Sequence, residues 1–508
     1  MWLLAVTVHI PTGNFETDAI EIDVKSLNET GPHSKLKIAH PMAFVLAALA
    51  AVAFAAPALL TGAPLMFFGD SASYYHQADV LVDVLGGADP RGTPLSLSRS
   101  IFYSLFVSVG YIVSPVWGVV VLQVAVLWGV LVWLGGLASG PGADAARLRA
   151  WLLAAAAVSS APWFASLIMP DLFAGLVGLA MAALITNFGR LARLEVVALA
   201  ILTPLAVAMH DSLLPLLFAL AACAFLPGLA PDSGPQRRRL RALVLGICAA
   251  AAVLSMLNAR ALERVGGVPP VRLPFLAAHL IDMGPGRIFL ETQCPEAGYA
   301  LCAYTFEPDV TWEQVLFGRE PGRGAYGLAD GPTRAAMDAE QIRFALDVLR
   351  HHPGETASGL LADGLRQLGR FSLTDLTPNS AWDVYVATLP RALQARYADY
   401  APVHDRDTTK RALAVVSGWI LAVTLAAIVA GIWAATRLVP AARAGDPVAR
   451  RALMLAGLIV AAVIFNGLIC GVLASPYDRF QARVIWLIPV AAAVLLAALP
   501  RRRAPPPG

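Results

Sequence analysis

The sequence predicts an all-α membrane protein with about ten transmembrane helices, juxtamembrane helices in the first outer loop and one larger segment outside the membrane. Three observations support this prediction: an apolar composition, a series of long apolar segments, and arginines that cluster in alternate connections. Of the 508 residues, 57% are hydrophobic and 14% are charged, whereas soluble domains average about 45–50% apolar and 25% charged residues. The mean hydropathy of +0.65 therefore excludes an ordinary soluble protein.

Windows of about 20 residues, the length that crosses a bilayer, locate the apolar segments. These lie at 43–60, 116–137, 150–169, 171–189, 195–211, 212–228, 242–262, 411–436, 452–474 and 482–499. Basic residues occupy alternate connections, which the positive-inside rule assigns to the cytoplasm. The arginines that set this orientation are Arg147, Arg149, Arg190, Arg193, Arg237, Arg238, Arg239, Arg241, Arg437, Arg443, Arg450, Arg451, Arg501, Arg502 and Arg503.

The stretch 97–114 has two readings. As an eleventh span it would place Asp70 inside the cell and break the alternation of basic connections. As an amphipathic helix on the outer surface it restores agreement across every later loop. We adopt the second reading, which places the first outer loop at 61–115.

These boundaries divide the chain into five parts. A polar extension covers 1–40, and a transmembrane core covers 41–262. The only large hydrophilic segment, 263–410, lies on the outer side by the same alternation, and C-terminal transmembrane helices follow over 411–500. The Pro-rich tail 501–508 has a composition typical of disordered chain and is expected in the cytoplasm.

The hydrophilic segment 263–410 reads as a mixture of helices and loops. Two helices are expected near 335–351 and 354–371, the second opening with Pro353 at a favourable first helical position. Cys294 and Cys302 both fall in this segment. In an oxidising outer compartment they are suitable disulfide partners; the alternative is two free thiols.

Ionisable residues from distant parts of the sequence meet on the outer side in this topology. The first outer loop supplies Asp70 and His76, and later outer turns supply further acidic, basic and histidine side chains. Each of these residues alone could be a polar turn residue between two spans. As a set they point to a functional surface, whose other members are Asp171, His210, Asp211, Arg479 and Arg483.

The two arginines of the last outer turn suit an anionic ligand. Arg479 and Arg483 stand four residues apart at the start of a helix, so they share one face. The planar guanidinium binds two phosphate oxygens at once. A lipid phosphate would compensate these charges, and so would Asp478 or membrane headgroups.

Oxygen ligands also make a divalent metal possible. Asp171 and Asp211, together with Asp70, could hold Mg²⁺ or Mn²⁺, which prefer carboxylate oxygens. Asp79 and Asp83, at i and i+4, instead read as a solvated helix face. The sequence contains no phosphate-binding glycine loop, nucleophile elbow or paired-histidine zinc helix, and it indicates no nucleic-acid partner.

The arrangement of the first half resembles the GT-C superfamily of integral-membrane glycosyltransferases, which includes protein O-mannosyltransferases and lipid A aminoarabinose transferases. The resemblance rests on an apolar first helix, then Phe-Phe-Gly-Asp-Ser-Ala-Ser-Tyr-Tyr-His-Gln-Ala-Asp over 67–79, then Arg-Ser-Ile-Phe-Tyr-Ser-Leu-Phe over 99–106. In that superfamily the first outer loop carries the catalytic carboxylate, which matches Asp70. Asp171 occupies the position of a second acidic residue in several members. The single carboxylate in Gly69-Asp70-Ser71 departs from the frequent paired acidic motif, so the motif does not imply a metal.

The resemblance implies a glycosyltransferase that uses a polyprenyl-phosphate sugar donor and works on the periplasmic side of a bacterial inner membrane. We expect Asp70 to act as the general base, and His210, with an ordinary pKa near 6.5, is a second candidate base or an interfacial turn residue. Tyr74, His76, Arg99, Arg479 and Arg483 are expected to bind substrate. The Ala/Arg/Pro-rich, Lys-poor composition is typical of a bacterial high-GC genome.

Two other functions remain open. A transporter or flippase of a lipid-linked glycan should carry polar groups along a path through the membrane, and the spans offer Gln123, Asn187 and Asn466. A polymerase or ligase joining lipid-linked glycans would share the donor and differ in the acceptor.

Overall fold

Helices form the regular structure of the described chain from Pro41 onward, in agreement with the predicted all-α membrane core. The computed structural model describes residues 4–9, 20–26, 34–38, 41–87, 99–139, 143–229, 234–266, 270–378, 381–398 and 400–500. The predicted cytoplasmic tail 501–508 lies outside these residues. The expected juxtamembrane loop 61–115 is described except for 88–98.

Three short strands precede the helices, where the sequence was interpreted only as a polar extension. They are β1 (Leu4–His9), β2 (Ile20–Ser26) and β3 (Ser34–Ile38). The strands form one antiparallel sheet in the order β1-β2-β3. The alternation Ile-Glu-Ile-Asp-Val-Lys over 20–25 has the period of two that marks a strand, so the sequence contained this signal.

The first ten helices form the larger part of the apolar helical core. They are α1 (Pro41–Thr61), α2 (Phe68–Leu85), α3 (Ile101–Val113), α4 (Gly118–Ser139), α5 (Ala143–Ala157), α6 (Ala161–Ser166), α7 (Leu172–Asn187), α8 (Arg193–Ala208), α9 (Leu213–Cys223) and α10 (Gly234–Gly266).

Short helices then occupy the hydrophilic segment. They are α11 (Phe275–Met283), α12 (Pro285–Gln293), α13 (Trp312–Phe317), α14 (Gly331–His351), α15 (Pro353–Leu368), α16 (Trp382–Ala387), α17 (Arg391–Ala398) and α18 (Ala401–His404), with 3₁₀ turns at Ala300–Ala303 and Thr374–Leu376. The core is completed by α19 (Arg406–Arg443), α20 (Pro447–Ala474), α21 (Asp478–Ile485) and α22 (Leu487–Ala497).

Five helical stretches of the described chain are long and apolar enough to cross a membrane, which indicates an α-helical membrane protein. The prediction of about ten spans is not confirmed. At 1.5 Å per residue, the 16 residues of α8 and the 11 of α9 extend about 24 and 17 Å, less than a hydrocarbon core of about 30 Å. The five stretches are Gly118–Ser139, Gly234–Arg264, Arg406–Arg443, Pro447–Ala474 and Asp478–Ala497.

Helix α3 is the ambiguous stretch of the sequence, and it is too short for a full span. Its 13 residues extend about 20 Å. One face is buried, and the Ser108 hydroxyl donates to the Ala78 carbonyl of α2 at 3.2 Å. At its start, Ser100 donates to the Ala208 carbonyl at 2.6 Å, and the backbone N–H of Ile101 donates to Asn258 Oδ1 at 2.8 Å. The residue just before α3 is therefore held against the end of α8.

The hydrophilic segment has its own apolar core and contains both predicted helices, as α14 and α15. Asp330 begins α14 by accepting from the Thr333 N–H at 2.9 Å, the usual role of an N-cap carboxylate. Cys294 and Cys302 are joined by a disulfide with Cα atoms 5.5 Å apart, the pairing that the sequence favoured.

The turn between α3 and α4 allows two helices to approach closely, because both contact positions are glycines. A Cβ atom on Gly118 would lie 1.9 Å from the Gly110 carbonyl oxygen, whereas one on Gly129, in the same helix α4, would meet nothing within 4 Å. We expect Gly118→Ala to lower the thermal unfolding temperature in detergent, at a cost of about 1–3 kcal/mol for overpacking. Gly129→Ala should leave that temperature unchanged or raise it slightly. Equal unfolding temperatures for the two variants would contradict the packing described here.

Candidate functional site

Five charged side chains from four parts of the chain meet at one end of the helical core, and we call them the arginine–aspartate cluster. Asp70 lies in the first turn of α2, and Arg99 just precedes α3. Asp171 just precedes α7, and Arg479 and Arg483 lie on α21. All five are among the candidate site residues that were named from the sequence.

The contacts within the cluster form a chain of ion pairs. Arg99 pairs directly with Asp70, whose other oxygen lies 3.9 Å from Arg479 Nη1. Arg479 Nε lies 3.8 Å and Arg483 Nη1 3.6 Å from the same Asp171 oxygen, Oδ1. Arg479 therefore joins the two carboxylates, which come from loops about 100 residues apart.

Backbone pairing brings those two loops together. The Leu65 N–H donates to the Ser166 carbonyl at 2.8 Å, and the Ile168 N–H donates to the Leu65 carbonyl at 2.9 Å. Gln123 of α4 donates to the carbonyls of Ala165 and Leu167 at 3.0 and 2.9 Å. Because Leu65 precedes Asp70 by five residues and Ile168 precedes Asp171 by three, the two carboxylates are placed side by side.

The two arginines of α21 are held differently. Arg483, 1% exposed, donates to Asn466 Oδ1 of α20 at 2.9 and 3.2 Å and to Ser212 Oγ at 3.3 Å. Arg479 lies over the Phe67 ring, 3.8 Å from its centroid, a cation–π contact. Arg483 is thus anchored in the protein by hydrogen bonds, whereas Arg479 is held by a ring contact and longer ion pairs.

The cluster is short of hydrogen-bond partners. The distances from Arg479 and Arg483 to Asp171, and from Arg479 to Asp70, are 3.6–3.9 Å. These distances exceed hydrogen-bond length. Among the described residues, the buried atoms that lack a hydrogen-bond partner include both oxygens of Asp171, Nε and Nη1 of Arg479, and Nε of Arg99. Three arginines face two carboxylates, so the cluster carries one excess positive charge. Unsatisfied donors together with positive charge favour an anionic ligand.

His210 lies beside this cluster, in the turn between α8 and α9 and outside the membrane-spanning helices. Its Nδ1 accepts from the Ser212 N–H at 3.2 Å and lies 2.8 Å from the Ser212 hydroxyl. Burial and the nearby Arg483 lower the pKa of His210 to about 3. Burial first, and then the positive charge of the arginines, make the imidazole a weaker base, and its Nδ1 is already engaged by Ser212. These contacts weigh against His210 as the second candidate base, and that role stays a prediction.

Tyr74 and His76 occupy different surroundings on α2. Tyr74 is 2% exposed, meets the Tyr103 ring edge-on at 4.7 Å and lies 6.0 Å from the Arg99 guanidinium. It supports Arg99 from within the protein. His76 lies beside Asp79, further along the helix.

The proposed metal site is not formed. Asp211 pairs with Arg272 at 3.0 Å, where both side chains are about half exposed, while Asp171 pairs with the arginines of α21. Within the described ranges, no three His, Cys, Asp or Glu side chains are grouped so that they could hold a metal ion. Asp211 pairs with Arg272, whereas Asp70 and Asp171 share Arg479, so the described residues do not group the three carboxylates that were expected to share a cation.

Sequence reasoning did not foresee the contact of Asp375 with α21. Asp375, in the 3₁₀ turn after α15, accepts from the backbone N–H of Arg479, and its Oδ2 is buried without a hydrogen-bond partner. Burial, reinforced by Asp478, raises the pKa of Asp375 to about 6. The sequence carried no signal for this contact, because Asp375 is a single acidic residue in a loop of the hydrophilic segment, where acidic residues are common. Asn466, in contrast, was visible as a rare polar residue inside an apolar span.

Comparison with protein-family models, with curated proteins and with solved structures finds no significant match to this chain. The class of protein is therefore defined by its own features: an α-helical membrane protein with an arginine–aspartate cluster at one end of its helical core.

Asp171 should be essential to stability, because its removal leaves the buried Arg483 without a carboxylate partner and leaves Arg479 with only its 3.9 Å contact to Asp70. We expect Asp171→Asn to destabilise the protein by about 3–5 kcal/mol, seen as a lower thermal unfolding temperature in detergent or loss of a monodisperse peak. Asp211→Asn is the matched control, because its exposed pair with Arg272 contributes about 1 kcal/mol or less. Wild-type stability of Asp171→Asn would contradict the role of this carboxylate.

Asp375 should make stability fall as the pH rises. Its folded pKa of about 6 lies above the ordinary 3.8, so the folded state holds this proton more tightly than the unfolded state does. Ionisation between these two values therefore costs stability, and the cost persists at higher pH. Asp375→Asn should raise the unfolding temperature by more at pH 7.5 than at pH 4.5, while Asp383→Asn, at an exposed position, should show no such difference. The same shift at both pH values would refute this assignment.

Proposed function

We propose that this protein is a membrane glycosyltransferase that transfers a sugar from a polyprenyl-phosphate donor to a periplasmic or lipid-linked acceptor. The observation that carries the proposal is the arginine–aspartate cluster, in which buried guanidinium donors lacking partners surround Asp70. The resemblance of 61–115 to the first outer loop of GT-C enzymes points to the same chemistry. The arginine-rich alternate connections support a bacterial inner membrane with the cluster on the periplasmic side.

A donor phosphate fits the charge of the cluster. Arg479 offers Nε and Nη1, and Arg99 offers Nε, each buried and without a hydrogen-bond partner. A phosphate between these two arginines would satisfy the unused donors and balance the excess positive charge. Arg483 and Asp171 would keep Arg479 in place from the protein side.

An apolar cavity beside the same loop suits the lipid part of the donor. It has a volume of about 230 Å³ and is lined by Leu65, Trp163, Leu376, Tyr400 and Leu413, among others. Leu65 also forms the backbone pairing that positions Asp70. A polyprenyl chain seated there would lie near the arginines that hold its phosphate.

Phosphate binding would also release the base. Arg99 pairs with Asp70 in the structure, and a phosphate that takes over Arg99 would leave the carboxylate free to accept a proton. The acceptor hydroxyl then attacks the anomeric carbon, its proton passes to Asp70, and the bond from that carbon to the phosphate oxygen breaks. A positioned general base contributes about 10²–10⁴-fold to the rate.

The alternatives have less support from the polar residues of the core. The side chain of Gln123 forms hydrogen bonds with two backbone carbonyls and with Tyr103. The side chain of Asn466 forms hydrogen bonds with Arg483 and with the backbone of α21. Asn187 donates to the neighbouring Thr186 hydroxyl. A transporter or flippase would need such groups to face a pathway. A polymerase or ligase of lipid-linked glycans would use the same donor site, so it differs from our proposal only in the acceptor.

Asp70→Asn should reduce transfer at least 10²-fold, because the amide cannot take the acceptor proton. The measurement is a transfer assay in nanodiscs with a panel of polyprenyl-phosphate sugars and membrane extract as acceptor. Asp83→Asn, an exposed carboxylate on the same helix α2, is the matched control and should transfer at the wild-type rate.

Wild-type turnover by Asp70→Asn would remove this residue from the chemistry. If no donor gives product, and wild-type vesicles accumulate a lipid-linked glycan in a manner that survives the change at Asp70, the transporter alternative replaces the proposal.

A further inference from the structure

A second, larger cavity adjoins the arginine–aspartate cluster. It has a volume of about 640 Å³ and lies between α11, α13, α15 and the loop 475–477, within the range of about 300–1,000 Å³ that ligand pockets occupy. Tyr477 lies in its wall, two residues before Arg479, and Asp375, also in the wall, accepts from the Arg479 N–H. The cavity is thus connected to the cluster through the start of α21.

The carboxylates of this cavity fall into two sets. Asp363 is engaged within the protein, since it lies 3.0 Å from His279 Nε2 and forms an ion pair with Arg366. Asp282, Glu313 and Asp375 form no ion pair with any residue in the described part of the chain.

The cations of the cavity wall do not compensate this second set. Arg370 is engaged by Asp478 at 3.4 Å. It forms no ion pair with Glu313 or Asp375 among the described residues. With four carboxylates and two arginines in its wall, the cavity has more acidic than basic side chains, in contrast to the positive cluster beside it.

Aromatic rings and a strained serine complete the wall. Trp312 and Tyr477 meet at right angles with ring centroids 5.7 Å apart. Ser475, 2% exposed, has a left-handed backbone with φ of 70°, and its hydroxyl is buried without a hydrogen-bond partner. A non-glycine residue in this conformation costs about 1–3 kcal/mol and is often found at binding sites. Ser475 is one of the residues that line the cavity.

The spacing of the acidic groups distinguishes between cations. No three carboxylates among the described residues are close enough together to ligate one metal ion, so the charges suit a larger organic cation. An ammonium group is attracted both to carboxylates and to the faces of Trp and Tyr rings. A neutral sugar would leave the unpaired carboxylates uncompensated.

We propose that this cavity binds the protonated amine of the acceptor, so that the acceptor is an amine-bearing carbohydrate or a comparable hydroxylated amine. The identification of this ligand as the acceptor rests on the proposed glycosyl transfer. The cavity supplies acidic side chains and aromatic rings for the amine. Its wall includes Tyr477 and Asp375, which adjoin the start of the helix that carries Arg479.

The test measures binding without any donor, so that it does not depend on transfer. Isothermal titration calorimetry on the detergent-solubilised full-length protein compares the β-1,4-linked disaccharide of glucosamine with its N,N′-diacetylated form, which has no charged amine. We expect the free amine to bind at least 10-fold more tightly. Glu313→Gln and Asp375→Asn should each weaken binding of the amine about 3–10-fold, and Glu296→Gln, an exposed residue outside the cavity, should not change it.

Equal binding of the two disaccharides, or no binding of either, would overturn the inference, as would wild-type affinity in both cavity variants. The unfolding temperature of each variant separates loss of binding from loss of the fold. Binding of the amine without transfer of any sugar would reject the proposed function and keep the cation site. Sugar transfer by a protein that binds the two disaccharides equally would support the proposed function and reject the cation site.

Discussion

The ion pairs of Asp171 with Arg479 and Arg483 are the constraint on which the rest of this structure depends. Two arginines of one short helix are buried in an apolar protein, where an uncompensated charge costs several kcal/mol. Asp171 supplies the opposite charge from the start of α7, where the helix dipole also favours a carboxylate. Asn466 and Ser212 complete the arrangement, so α7, α20, α21 and the turn after α8 are held to one geometry.

In this arrangement some guanidinium groups near Asp70 keep hydrogen-bond donors that have no partner. Arg99 and Arg479 share Asp70, yet both retain buried donors without partners. A positive site for an anion therefore lies next to a negative cavity lined by Asp282, Glu313 and Asp375. Opposite charges in adjacent sites are the basis of the proposed pairing of an anionic donor with a cationic acceptor, and the backbone around Arg479 connects the two sites.

Much of the candidate site was visible in the sequence, because ionisable residues are conspicuous in a chain this apolar. Asp70, Asp171, Arg479 and Arg483 stood out in turns between apolar segments. Prediction from the sequence was incomplete where the role of a residue depends on side chains from distant parts of the chain. Burial and Arg483 lower the pKa of His210, and Asp211 is separated from Asp171 by its pair with Arg272. Helices α8 and α9 are shorter than a hydrocarbon core, so these two predicted spans are not confirmed; a hydropathy window extends each of them into its flanking turn.

Composition and periodicity by themselves determined the class of this protein, its helical character, the helices α14 and α15 and the residues from which a site could be built. These are local properties, since they follow from the transfer free energy and backbone preference of each residue. Only the tertiary structure decided which charges pair. The partner of Asp171 depends on the backbone pairing of Leu65 with its neighbours at 166–168 and on the packing of α21, which join positions hundreds of residues apart. The cavity beside Arg479 exists for the same reason, because its walls come from helices that meet only in the folded chain.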